Sequence, residues 1–239
     1  MSKDLITISE TAKILGVSID TLRRWDEKGQ LKSIRSDGGH RYYSKEQIEM
    51  FSKDIFKLAL NWVLNKSEIP SHFYCSDSSI FQARLVKMSN ELAQISDDKI
   101  KKNFSLIVAV AGEIGNNSFD HNLGNWRDVP GVFFGFDISK RCVVLADRGQ
   151  GILQTLRKVR PELPNDSEAL IVAFTEIVSG RAPEERGNGL KFVRKVVTKN
   201  DMKLFFKTGD AEIEIFNESP LTIKKSPSSI GGCIALITF

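Results

Sequence analysis

The sequence predicts two folded units. The first is an N-terminal all-α winged helix-turn-helix, and the second an α/β sandwich with helices on one face of a mixed sheet. Three observations predict this division. Two short amphipathic segments, Ile8 to Leu15 and Ile19 to Glu27, flank a tight turn at Gly16-Val17. A basic, aromatic hairpin pattern follows, from Arg35 through Asp37-Gly38-Gly39 to Tyr43. Beyond residue 72, long apolar helical stretches alternate with strand-like runs and glycine turns. The expected boundaries are residues 1–52 for the first unit, 53–72 for a linker helix and 73–239 for the second.

In the first unit, Thr7 and Glu10 have the spacing of a capping box, so a helix is expected to start after Thr7. Ile8, Ala12 and Leu15 then form its inward face. Ser18 is placed to cap a second helix in which Leu22 and Trp25 point inward and Arg23 and Arg24 outward. Gly29 ends it, because the C′ position favours a left-handed backbone. Asp-Gly-Gly between short β-prone runs is a hairpin signal, and Arg35, His40 and Arg41 would decorate that wing. Ser44 opens another helix, with Ile48, Phe51, Ile55 and Leu58 along one face.

This order resembles the winged DNA-binding domain of the MerR family over about residues 4–52. The matching residues are Ile8 to Ser18, Thr21-Leu22-Arg23-Arg24-Trp25, Gly29 and Gly39-His40-Arg41-Tyr42-Tyr43. The resemblance implies double-stranded DNA as partner. It implies Ser18, Thr21, Arg23 and Arg24 at the major groove and its phosphates, and Arg41 and Tyr42 at the flanking backbone. Phosphate contacts give affinity and position without sequence information, so the target site is not implied. The competing reading is a solvated basic surface on a protein-interaction module.

Phe56, Leu60 and Val63-Leu64 continue helical periodicity through the linker until Pro70 breaks it. The stretch holds too few heptads for a long coiled coil, though a single winged module binds DNA weakly and a homodimer is expected. Next, Ser78 to Ile95 reads as an amphipathic helix. An apolar stretch from Phe104 leads into Glu113-Ile114-Gly115-Asn116-Asn117-Ser118-Phe119-Asp120-His121. At about 3.6 residues per turn, Glu113, Asn117 and Asp120 share one helix face. Polar groups aligned there need partners or a ligand, unless the stretch is simply an exposed helix end capped by Asn. Gly131 to Ile138 and Arg141 to Asp147 read as strands, and the second runs into Asp147-Arg148-Gly149-Gln150-Gly151. A helix near Glu168 to Val178 and a charged loop through Arg181 and Arg186 lead to Gly187-Asn188-Gly189-Leu190, which opens a helix to Val197. Glycines before a helix suit phosphate, since free N–H groups and the dipole face the anion. Met202 to Lys207, Ala211 to Phe216 and Cys233 to Phe239 read as strands.

Each glycine motif alone is weak. The ordered set E-x-x-x-N-x-x-D-H, D-x-G-x-G, G-x-G-L resembles the three nucleotide boxes of the GHKL ATPase superfamily, over about Phe73 to Phe239. That resemblance implies ATP and Mg²⁺ as cofactors. It makes Asn117 the Mg²⁺ ligand and Glu113 the general base toward water or a hydroxyl. It makes Asp147 the acceptor for the adenine amino group. It sets Gly149 and Gly151 close to base and ribose, and Gly187, Gly189 and Leu190 beside the phosphates. Asp120 matches a polar position of the family. The span from Ile152 to Arg186 would carry the lid.

Composition is ordinary for a globular protein, with 41% hydrophobic and 27% charged residues. The absence of a signal-like N-terminus and of any membrane-length apolar run leads to a cytoplasmic expectation. Three cysteines without C-x-x-C spacing read as buried thiols in a reducing compartment. Net charge is +4, and residues 1–66 hold 12 Lys/Arg against 9 Asp/Glu, net +3, which suits nucleic acid without requiring it. Three functions compete: an ATP-dependent DNA-binding regulator, a protein serine/threonine kinase of the anti-sigma type (or slow ATPase), and a mechanochemical ATPase. The third is disfavoured on the expectation that a transducer domain would follow the last strand. A histidine kinase is disfavoured because His72 follows Pro70-Ser71 and precedes Phe73, a poor phospho-acceptor context.

Overall fold

The structure, a computed structural model, describes residues 5–15, 17–29, 31–36, 38–45, 47–48, 51, 54–65, 68–176, 189–218 and 220–239. The chain packs as two compact units, residues 1–74 and 75–239.

In the first unit, β1 (Leu5–Thr7) leads into α1 (Ile8–Leu15) and α2 (Ile19–Glu27), followed by β2 (Ile34–Arg35) and β3 (Arg41–Ser44). The Thr7–Glu10 box closes in both directions. The Thr7 N–H donates to Glu10 Oε2 at 2.8 Å, and the Glu10 N–H donates to Thr7 Oγ1 at 3.2 Å. Ser18 Oγ accepts from the Thr21 N–H at 3.1 Å and starts α2. Leu15, Leu22, Trp25 and Tyr43 fill the small core. Gly29 and Gly39 take the left-handed backbone their turns require, with φ of +72° and +78°.

The unit is not all-α. A three-stranded antiparallel sheet, order β1-β3-β2, was legible only as its hairpin half. The helix periodicity expected from Ile48 to Leu58 is also interrupted, at Asp54. Asp54 caps a new helix, α3 (Ile55–Asn65), by accepting from the Lys57 N–H at 3.0 Å.

The second unit is built on a five-stranded sheet in the order β4-β5-β6-β8-β7. Its strands are β4 (Tyr74–Cys75), β5 (Val132–Asp137), β6 (Cys142–Asp147), β7 (Lys203–Phe216) and β8 (Ile223–Thr238). The ladders β5–β6, β6–β8 and β7–β8 are all antiparallel. The helices are α4 (Ser78–Ala93), α5 (Asp98–Asn122), α6 (Gly151–Leu156), α7 (Asp166–Thr175) and α8 (Gly189–Lys199).

One alternate set of strand residues meets these helices. Phe134, Val143, Leu145, Leu204, Phe206, Ala235 and Ile237 share a core with Ile107, Val110, Ala111 and Ile114 of α5 and Val193 and Val197 of α8. Each large apolar side chain so buried contributes about 2 kcal/mol before the entropy cost of ordering it. Helix α5 begins well before Phe104, because Asp97 caps it by accepting from the Lys99 and Ile100 N–H groups. Strand β7 is continuous where two strands were expected, and the break in its sequence pattern is a bulge at Gly209, φ +52°. Cys75, Cys142 and Cys233 lie on β4, β6 and β8, the first two buried and the third half-buried.

Candidate functional site

The last three turns of α5, the end of β6, the start of α8 and the β7–β8 ladder converge. Asp147 sits at the C-terminal end of β6, with 2% relative exposure. Register places it on the helix-facing side with Val143 and Leu145. Its Oδ2 accepts from Ser118 Oγ at 2.8 Å. Its Oδ1 accepts from the Gly149 N–H at 2.9 Å and from Asn122 Nδ2 at 3.4 Å. Burial nonetheless dominates and pushes its pKa up, against the lowering effect of the bonds from Gly149, Ser118, Cys233 and Asn122.

The glycine turn after Asp147 is held from both sides. Asn122 Oδ1 accepts from the Gln150 N–H at 2.9 Å, and Gln150 Nε2 donates to the His121 carbonyl at 2.6 Å. Thr208 Oγ1 accepts from the Ile152 N–H at 3.2 Å and donates to the Gly232 carbonyl at 3.1 Å. Glycine is required at two points here. A β-carbon on Gly149 would stand 2.1 Å from Asn122 Cγ, and one on Gly232 (φ +82°) 2.2 Å from the Asp147 carbonyl oxygen.

The first and third boxes also meet. A β-carbon on Gly189 would lie 2.0 Å from Glu113 Oε1 and 2.9 Å from Asn117 Nδ2. Glu113 and Asn117 are half-buried, whereas Asp120, one turn on, is exposed. Leu190 is half-buried on the first turn of α8. Gly151 opens α6 at φ +78°, beside Thr208 Oγ1. Thus Glu113, Asn117 and Gly189 form one cluster, and Asp147, Gly149 and Gly151 another, joined along α5. Gly187 and the lid arginines Arg181 and Arg186 lie outside the described residues. Asn117 and the α8 N-terminus fit a Mg²⁺-phosphate group in donor chemistry, and the place a β-carbon would take at Gly189 is filled by the Glu113 carboxylate.

Sequence reading missed Ser118, Asn122, Thr208 and Gly232. Ser118 and Asn122 are one turn apart, a signal that was present but lay on a different side of α5 from Glu113.

In the first unit, the residues singled out for DNA differ in availability. Ser18 is exposed at the α2 cap, but Thr21 is buried at 1% relative exposure. Arg23 is exposed and pairs with Asp20 at 2.7 Å. Arg24 is exposed and pairs with Glu68 at 3.3 Å. Arg41 turns inward instead: its Nε donates to Asp26 Oδ2 at 2.8 Å, and its side chain is 17% exposed. Arg35 Nη2 reaches the same oxygen at 3.1 Å, and the Ser33 N–H donates to Asp26 Oδ1 at 2.8 Å. Burial works to raise the Asp26 pKa, but Ser33 and Arg41 outweigh it and hold the carboxyl far below the usual range. Tyr42 is half-buried on the central strand, opposite both Thr7 and Ile34.

Residues 7–43 match the MerR family regulatory protein profile. The N-terminal unit therefore carries a MerR-type domain. The Escherichia coli protein "Type II methyltransferase M.Eco47II" is 41% identical over 75 residues, 31% of this chain and 18% of that protein. The chain thus spans less than a fifth of that relative's length. Among solved structures, the ATPase region of Saccharomyces cerevisiae topoisomerase II aligns with TM-score 0.37 at 13% identity, covering 56% of this chain and 37% of that one. The 43K ATPase domain of Thermus thermophilus gyrase B, in complex with an aminocoumarin, aligns with TM-score 0.34 at 14% identity, covering 68% and 40%. No helix among the described residues is long and apolar enough to cross a membrane.

Proposed function

We propose that the chain is a DNA-binding regulator whose DNA or partner binding follows the Mg-ATP state of its second unit. The observation that supports ATP most directly is Gly189 against Glu113 and Asn117. Two motifs more than seventy residues apart in sequence meet where a β-carbon would displace the Glu113 carboxylate. Such a contact offers main-chain N–H groups, a neutral amide and a carboxylate to one small volume. Asn117 would hold Mg²⁺, and the Gly189 and Leu190 N–H groups the phosphates. Bound Mg²⁺ neutralises phosphate charge and draws on the phosphoryl oxygens. Asp147 would accept the adenine amino group while Ser118 and Asn122 keep its carboxylate oriented. Glu113 would take a proton from water or a hydroxyl.

The MerR-type domain supports duplex DNA as the partner, bound by a homodimer in the cytoplasm. The alternative, phosphoryl transfer to a protein serine or threonine, uses the same residues with a different nucleophile.

Calorimetric titration with Mg-ATP tests the site. Asn117→Ala is expected to lose ATP binding while melting like the parent, and unchanged affinity would sink the assignment. Single-turnover incubation with labelled ATP separates the two chemistries. ADP formation that depends on Glu113 indicates hydrolysis, and intact ATP directs the search to a protein acceptor.

A further inference from the structure

The recognition helix α2 already holds an anion. Glu68, which follows α3, places its carboxylate on the residues singled out for DNA. Ser18 Oγ donates to Glu68 Oε2 at 3.1 Å, Thr21 Oγ1 donates to the same oxygen, and Arg24 Nη2 donates to Oε1 at 3.3 Å. Ser18 Oγ and Thr21 Oγ1 lie 2.9 Å apart as they converge on it, and Arg24 Nη2 reaches Thr21 Oγ1 at 3.4 Å. Two hydroxyls and a guanidinium around one oxyanion are the donor set by which proteins grip a DNA backbone phosphate. All four residues belong to the first unit.

We infer that Ser18, Thr21 and Arg24 form a cradle for a DNA backbone phosphate, and that Glu68 occupies it as an internal competitor. This rests on the DNA-binding reading above. Thr21 is the telling residue. At 1% relative exposure it cannot meet a duplex as it stands, and the group on its hydroxyl is Glu68. A carboxylate carries the same sign of charge as a phosphate and accepts from the same donors. The two therefore exclude each other, and DNA must displace Glu68 to seat α2. Displacement costs an exposed ion pair and two hydroxyl bonds, so the closed form lowers affinity by about tenfold. The contact is weak enough to be released and strong enough to register.

The test uses the full chain and a labelled mixed-sequence DNA duplex, followed by fluorescence anisotropy at fixed salt. Glu68→Gln is expected to bind about tenfold tighter than the parent. Adding Arg24→Ala to it should remove that gain. Glu27→Gln makes the same change of charge on the exposed end of α2 and should shift affinity much less. If Glu68→Gln binds like the parent, or if Glu27→Gln gains equally, the competitor is overturned while DNA binding stands. If none of the proteins binds the duplex, both inferences fall. Glu68→Ala, checked for folding by circular dichroism, repeats the measurement without the amide.

Discussion

Gly189 and Glu113 stand so close that a β-carbon on the first would lie 2.0 Å from Oε1 of the second. The helix that opens at Gly189 and the carboxylate on α5 are thereby fitted to one another. The obstructing atom is the tip of a flexible side chain, and Ala favours a helix over Gly. Gly189→Ala should therefore change stability by less than about 1 kcal/mol while driving Glu113 out of place. Thermal melting should be near that of the parent and Mg-ATP affinity lower by about tenfold or more. Parental ATP affinity would mean that Glu113 does not need this position.

Asp147 gives a prediction with opposite signs for stability and binding. Its pKa is raised in the folded state, so its contribution to stability is fully present below the ordinary Asp value of about 3.9 and is lost as pH rises through the raised value. At neutral pH the buried charge is a liability. Asp147→Asn should raise the melting temperature at pH 7, narrow the gain at low pH, and weaken ATP by about tenfold through loss of a charged acceptor. A melting temperature that falls equally at every pH would contradict this account.

Asp26 behaves in the reverse way. Its pKa is depressed, so its contribution is present above the ordinary Asp value and lost as pH falls toward the folded one. Asp26→Asn removes the acid that Arg35 and Arg41 share, leaving Arg41 with Glu27 at 3.7 Å, and should cost about 2 kcal/mol, below the figure for a fully buried pair because Arg35 is half exposed. Acid titration of the parent should show the loss, and the variant should lack it. An acid limb that survives in Asp26→Asn would assign it elsewhere.

Arg24 should act on DNA through charge. Arg24→Ala is expected to weaken duplex binding evenly across sequences and to reduce the slope of log affinity against log salt by about 1. An untouched slope would remove Arg24 from the phosphate contacts.

The sequence was most readable where the cause is local. Capping is a matter of three residues, and Thr7–Glu10, Ser18–Thr21 and the helix starts they imply all appear. The turn after Asp147 is local too, since Asp147, Gly149 and Gly151 follow one another along the chain. Pairings across long separations left no such trace. Ser118 with Asp147, Thr208 with the Gly232 carbonyl, and Asp26 with Arg41 depend on which strand lies beside which. Arg41 looked like a free cation because its acid stands fifteen residues earlier on a helix. Glu68 was invisible for the same reason, at fifty residues from Ser18.

The three cysteines have a use that does not involve ligand chemistry. All lie on strands of the second unit, and the first 74 residues contain none. Burial pushes the Cys75 thiol up to about 11 and that of Cys233 well above its ordinary value, so at neutral pH neither offers a thiolate. At the buried Cys75 and Cys142 a thiol reagent must wait for the sheet to open. The pace of alkylation thus becomes a native clock for one half of the molecule, blind to the other. A nucleotide that binds only the closed sheet would slow that clock in the unmodified protein.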